Sequence, residues 1–131
     1  METTLHDLIS HHAVDRRTLA AVHRDLPWLL ADGCAPTAAD VAVDADCRPR
    51  LISAPVGDAV KAYGNLLSAA LEASPARPIR LQRLARACTD GTIGSIEELR
   101  HAVERDAVRG IHWMIVVVMV VGLALLCWLS R

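Results

Sequence analysis

Phenylalanine is missing from the 131 residues, tyrosine occurs once and tryptophan three times, so aromatics make up 3% of a chain that is 53% hydrophobic. A core built from these residues rests on Ala, Val and Leu, each of which buries less area than an aromatic ring. Charge of one sign is lacking too. The 14 basic and 15 acidic residues leave a formal net charge of −1, without the basic excess of a nucleic-acid-binding domain. Lysine occurs once, at Lys61, so nearly every cation is a planar guanidinium. The cysteines, Cys34, Cys47, Cys88 and Cys127, show no C-x-x-C spacing and are too sparse for a disulfide framework. No P-loop, Rossmann fingerprint or nucleophile motif occurs, and no H-x-x-x-H suggests a metal centre. Sustained disorder is excluded by the high apolar content.

What the chain does have is one long apolar run. Trp113 to Leu129 (WMIVVVMVVGLALLCWL) is 17 residues without a charge, or 20 with Ile111, His112 and Ser130. As a helix, such a run spans about 26–30 Å, near the thickness of a bilayer core. Trp113 and Trp128 stand near its ends, where amphipathic rings favour the headgroup level. Gly122 has no small partner four residues away, so no helix-dimer motif is present. Arg100, Arg105 and Arg109 precede the run and Arg131 follows it. These features predict a single transmembrane helix in a C-terminal anchor over 110–131, with a cytoplasmic N-terminal side and the lipid bilayer as a partner. In a reducing compartment Cys34, Cys47 and Cys88 are packing residues rather than bridges.

The remaining residues, 1–109, read as mainly α. Leu5, Leu8 and Ile9 suggest a short helix over about 4–12. Asp15 is an N-cap for a second, with Leu19, Val22 and Leu26 on one face; Pro27 predicts a kink or a break in it. A Gly- and Pro-containing loop over 31–39 follows. Residues 41–52 (VAVDADCRPRLI) read as a short β-hairpin, with Cys47 where such a turn favours Gly. A third helix over about 57–73 carries Val60, Tyr63, Leu67 and Leu71. A fourth over about 79–89 carries Leu81, Leu84 and Cys88. Ser95 and Glu98 form an S-x-x-E capping box for a fifth. Arg77, Arg80, Arg83 and Arg86 form a stripe opposite the Leu81/Leu84 face, read as the solvent side of the fourth helix. His6, His11, His12 and His23 are scattered and read as solvated.

This order resembles the C-terminal lobe of bacterial serine/threonine protein kinases. APTAADVAVDADCRPRLI resembles the kinase stretch KPxNVLVDxDGRPRLIDFG. VKAYGNLLSAALEASP is similar to the lobe-core helix DVYALGVLLYELLTG, with Gly64 in register. LQRLARACTDGTIGSIEELRHAVER resembles the closing helices. The resemblance implies a kinase C-lobe-like helical domain with one short β-hairpin. It also places the family's functional positions. Asp40 falls at the metal-binding Asn, Ala35 near the catalytic base and Ser53 at the Mg²⁺-binding Asp. Ala has no proton acceptor, and a hydroxyl is a poor substitute for a carboxylate at a hard cation. The Gly-rich loop and strand Lys that hold ATP phosphates have no counterpart here. His23-Arg24-Asp25 spells the kinase triplet but lies 15 residues before Asp40, within a helical pattern, and is not the catalytic loop.

The expectation is therefore a catalytically inactive, membrane-tethered scaffold or signalling adaptor. It needs no cofactor, metal, nucleic acid or small-molecule substrate. Its protein partner is not named by the sequence, and the hairpin face Val41, Val43, Leu51 and Ile52 is the candidate partner surface. Two rivals stand beside it: part of an active kinase whose N-lobe is missing from this chain, and an unrelated tail-anchored helical adaptor.

Overall fold

The computed structural model describes residues 3–75 and 77–131, apart from the side chains of 107–112. It is mainly helical. Strand β1 (Thr3–Thr4) leads into α1 (Leu5–Ser10) and α2 (Arg16–Leu29). A 3-10 turn (Ala38–Asp40) precedes β2 (Val41–Val43) and β3 (Pro49–Leu51). Then follow α3 (Ala59–Glu72), α4 (Ile79–Asp90) and α5 (Ile96–Leu129). The chain divides into two compact units, 1–100 and 101–131, and α5 begins in the first and continues through the second.

Side-chain caps start α1, α2, α3 and α5, whereas α4 follows Pro78 with no side-chain cap. The Thr4 hydroxyl accepts from the Asp7 N–H at 3.2 Å. Asp15 accepts from the Thr18 N–H at 2.8 Å, capping α2. Asp58 accepts from the Val60 and Lys61 N–H groups at 3.1 and 3.2 Å, capping α3. The Ser95 hydroxyl accepts from the Glu98 N–H at 3.2 Å, while the Glu98 carboxylate reaches back to the N–H of Gly94 rather than to that of Ser95. Each cap satisfies amide donors that have no partner within the helix.

In the first unit the sheet runs β1-β2-β3, all antiparallel. Val43 pairs with Thr3 on one side and with Pro49 on the other. Pro49 lies on the edge strand, where a missing N–H is tolerated. The hairpin turn carries Cys47 at φ +63°, the left-handed region that L side chains enter at a cost. The Cys47 N–H donates to the Asp44 carbonyl at 3.0 Å and the Asp44 N–H to the Arg48 carbonyl at 3.1 Å. The Asp44 carboxylate accepts from the N–H groups of Asp46 and Arg48. This is a three-residue hairpin loop whose last position favours Gly.

Helix α3 is the core element. Tyr63 and Leu67 are fully buried on it, together with Leu66, Ala70 and Leu71. It packs on α4 at Gly64, where a Cβ would stand 2.8 Å from the Cys88 Cβ, 2.9 Å from the Thr89 Cγ2 and 3.0 Å from the Ala85 carbonyl oxygen. Glycine is required by that approach. Pro27, meanwhile, neither breaks nor splits α2, which is a single helix to Leu29. Proline has no N–H for the carbonyl four residues back, that of His23. The Tyr63 hydroxyl donates to this carbonyl at 3.1 Å, across 40 residues of sequence, and also lies 3.3 Å from His23 Nδ1. The end of α2 is held by Arg100, whose guanidinium donates to the Pro27 carbonyl at 3.0 Å and to the Leu30 carbonyl at 2.9 Å. It also lies 5.4 Å from the centre of the Trp28 ring. A cation bound to the last carbonyls of a helix complements its dipole.

The second unit corrects the reading of the apolar run. Residues 113–129 are helical, with exposed side chains. Among the described residues, however, no helix is long and apolar enough to cross a membrane. Seventeen apolar residues rise about 26 Å, short of the ~30 Å hydrocarbon core. Arg109, Gly110, Ile111 and His112, which that reading also used, lie outside the described side chains. The transmembrane span between Trp113 and Trp128, with Gly122 inside it, is thus overturned. The membrane anchor over 110–131 and the single-pass localisation with a cytoplasmic N-terminus fall with it. The fold class is corrected to a mainly helical chain with a small three-stranded sheet.

Candidate functional site

Two of the positions singled out by the kinase resemblance, Asp40 and Ser53, meet where the 3-10 turn adjoins the end of β3. Register brings them there. Val41 pairs with Leu51, so Asp40 and the residues after Leu51 face each other just beyond the ladder. The Ile52 N–H donates to the Asp40 carbonyl at 2.7 Å, and the Ser53 hydroxyl donates to Asp40 Oδ1 at 2.5 Å. On the other side, Thr37 donates to Asp40 Oδ2 twice, from its N–H at 2.9 Å and from its hydroxyl at 3.0 Å. Both carboxylate oxygens are occupied. These bonds hold the Asp40 carboxyl below its usual 3.8, the Ser53 hydroxyl contributing most and the Thr37 N–H next, because hydrogen bonds to the charged form favour it.

Ala35 belongs to a second junction beside the first. Its N–H donates to the Pro55 carbonyl at 2.6 Å, and the Gly57 N–H donates to the Gly33 carbonyl at 2.9 Å. Cys34 and Val56 form an isolated antiparallel bridge between those bonds. A Cβ at Gly57 would lie 2.6 Å from the Ala35 Cβ, so the methyl group at 35 faces a backbone that only Gly allows. A cavity of about 450 Å³ adjoins Ala35, with Thr37, Asp58, Lys61 and Asn65 among its lining residues.

Of the candidate partner face, Val41 and Val43 are buried. They sit on the central strand, with β1 paired on one side and β3 on the other. Only Ile52, 57% exposed, and half-buried Leu51 reach the surface. Val56, 96% exposed, joins them from the following segment; the sequence reading missed it because a lone Val after a Pro carries no pattern. The triplet His23-Arg24-Asp25 lies inside α2, with Arg24 paired to Asp25 at 3.2 Å on the surface. Among the described residues no group of three or more His, Cys, Asp and Glu side chains converges as a metal site. Comparison with family models, curated proteins and solved structures finds no match.

Proposed function

We propose that residues 3–100 form a kinase C-lobe-like module that transfers no phosphate and acts by binding another protein, as a scaffold or signalling adaptor. The observation that carries this reading is the state of Asp40. A carboxylate that binds Mg²⁺ presents open oxygens alongside a second oxygen ligand. Here Ser53 and Thr37 donate three hydrogen bonds to it, and the neighbouring hydroxyl supplies no second charge. Ala35 offers no base. The cluster works as a clasp that fixes the start of the hairpin to its end. The presence of that hairpin between the second and third helices favours the kinase-like reading over an unrelated helical adaptor.

The test is a thermal melt of the full chain with and without millimolar Mg·ATP, with a phosphoryl-transfer assay beside it. The expected result is no shift in Tm and no transfer. A rise in Tm with Mg·ATP that disappears in Asp40→Ala or Ser53→Ala would overturn the proposal.

A further inference from the structure

Of the four arginines in the stripe, Arg80, Arg83 and Arg86 lie on α4, whereas Arg77 lies in the segment just before it. Arg77 and Arg86 line one cavity of about 370 Å³ between α3 and α4, together with Ser68, Glu72, Gln82 and Thr89, whereas Arg80 and Arg83 do not. Arg77 is anchored at both ends. Its guanidinium donates to the Glu72 carbonyl at 3.2 Å, and its own carbonyl accepts from the Gln82 amide at 2.9 Å. One hydrogen bond leaves most of the five guanidinium donors unspent. Among the described residues, neither Arg77 nor Arg86 forms an ion pair. The nearby Asp90 carboxylate is engaged by the Thr92 N–H and hydroxyl at 2.9 and 2.6 Å, and draws only a minor effect from Arg86.

The geometry points to a binding site for a small phosphate-bearing anion in the α3–α4 cavity, held by the Arg77 and Arg86 guanidinia with the Ser68 hydroxyl as a further donor, while the Thr89 hydroxyl is spent on the Arg86 carbonyl at 3.0 Å. A guanidinium fork matches phosphate geometry and binds it by paired charge-assisted hydrogen bonds. The cavity is larger than one phosphate group and of the size that holds a small organic ligand. Among the lining residues two cations stand against one carboxylate, Glu72, while Asp90, outside the lining, has its carboxylate engaged by Thr92. The ligand class is therefore a compact polyanion such as a diphosphate ester rather than a neutral molecule.

Isothermal titration of the full chain with inorganic pyrophosphate at physiological salt tests this. The expected result is saturable binding, weakened about tenfold or more by Arg77→Gln and by Arg86→Gln as charge-assisted contacts are lost. Arg80→Gln and Arg83→Gln remove the same charge outside the cavity and should leave the affinity unchanged. Glu72→Gln should tighten binding. Circular dichroism of each variant checks that it is folded. No saturable binding by the folded wild-type chain, or equal weakening by all four arginine variants, overturns the site, the latter because it marks diffuse charge attraction. Competition by sulfate as strong as that of pyrophosphate also overturns it, since a single tetrahedral anion would then suffice.

Discussion

Tyr63→Phe removes one oxygen from the centre of the core, and its consequence follows from Pro27. The phenol is fully buried, and its hydroxyl donates to the His23 carbonyl, whose helical donor proline lacks. Phenylalanine keeps the ring and its packing. What is lost is a buried hydrogen bond, and what is left is a carbonyl withdrawn from water, at a cost of about 1–3 kcal/mol. In a Pro27→Ala background, residue 27 regains an N–H directed at that same carbonyl, so Tyr63→Phe should then cost less than about 1 kcal/mol. Pro27→Ala has effects of its own, through lost ring carbons and a looser unfolded chain. They occur with either residue at 63 and cancel in the double-mutant cycle. Urea unfolding of the four proteins, followed by far-UV circular dichroism and evaluated as two-state transitions, gives the coupling energy. A value of about 1–2 kcal/mol is expected from the hydrogen bond at stake. The contact at 3.3 Å between the Tyr63 hydroxyl and His23 Nδ1 is insensitive to residue 27 and sets the residual cost. Additivity within about 0.5 kcal/mol would refute the claim that Tyr63 replaces the donor missing from Pro27.

Gly64→Ala should destabilise the chain by about 1–2 kcal/mol, because overpacking against Cys88, Thr89 and the Ala85 carbonyl outweighs the roughly 1 kcal/mol gained in helix propensity. The Cys88 thiol, fully buried and pushed up to about 12 by burial with a smaller effect from Asp90, should react with maleimide faster in that variant, and an unchanged rate with an unchanged urea midpoint would refute the close approach. Cys47→Gly should raise stability by roughly 0.5–1 kcal/mol in urea melts, since glycine adopts φ +63° without the left-handed penalty. Stability should fall with acid: Asp15 and Asp40 are both held below 3.8, by Thr18 and by Ser53 with Thr37 respectively. Their contribution is complete above the unfolded value and is lost as pH drops through the folded ones, where the unfolded chain binds more protons. Urea midpoints measured from pH 7 down to pH 3 should show this loss, and Asp15→Asn or Asp40→Asn should flatten it.

Features written in a few neighbouring residues are legible in the sequence. Asp15 and Ser95 announce helix starts because a cap needs only its own side chain and the amides three residues on. Cys47 announces a strained turn because the hairpin loop geometry fixes which position turns left-handed. Features set by distant residues are not. Pro27 reads as a kink or a break, since nothing in the local sequence shows that a tyrosine hydroxyl 40 residues from His23 supplies the missing donor. Arg100 reads as a charge flanking an apolar run, whereas it grips the Pro27 and Leu30 carbonyls. Val41 and Val43 read as one side of an open hairpin, because a two-residue strand such as Thr3–Thr4 leaves no periodic signal, yet it converts their strand from an edge into the middle of the sheet.

The clasp at Asp40 falls between these cases. Once Val41 is paired with Leu51, an antiparallel register carries Asp40 to the level of Ile52, and Ser53 is the next side chain able to reach its carboxylate. That half of the site follows from the hairpin alone. The other half does not, because Thr37 reaches Asp40 only when the intervening residues coil into a 3-10 turn, a conformation with no dependable sequence mark in so short a piece. The same division explains the four arginines of the stripe. Their spacing suggests one helix face away from Leu81 and Leu84, but Arg77 lies before α4 and is tied to the Glu72 carbonyl, and the packing of α3 on α4 sets which arginines share the cavity.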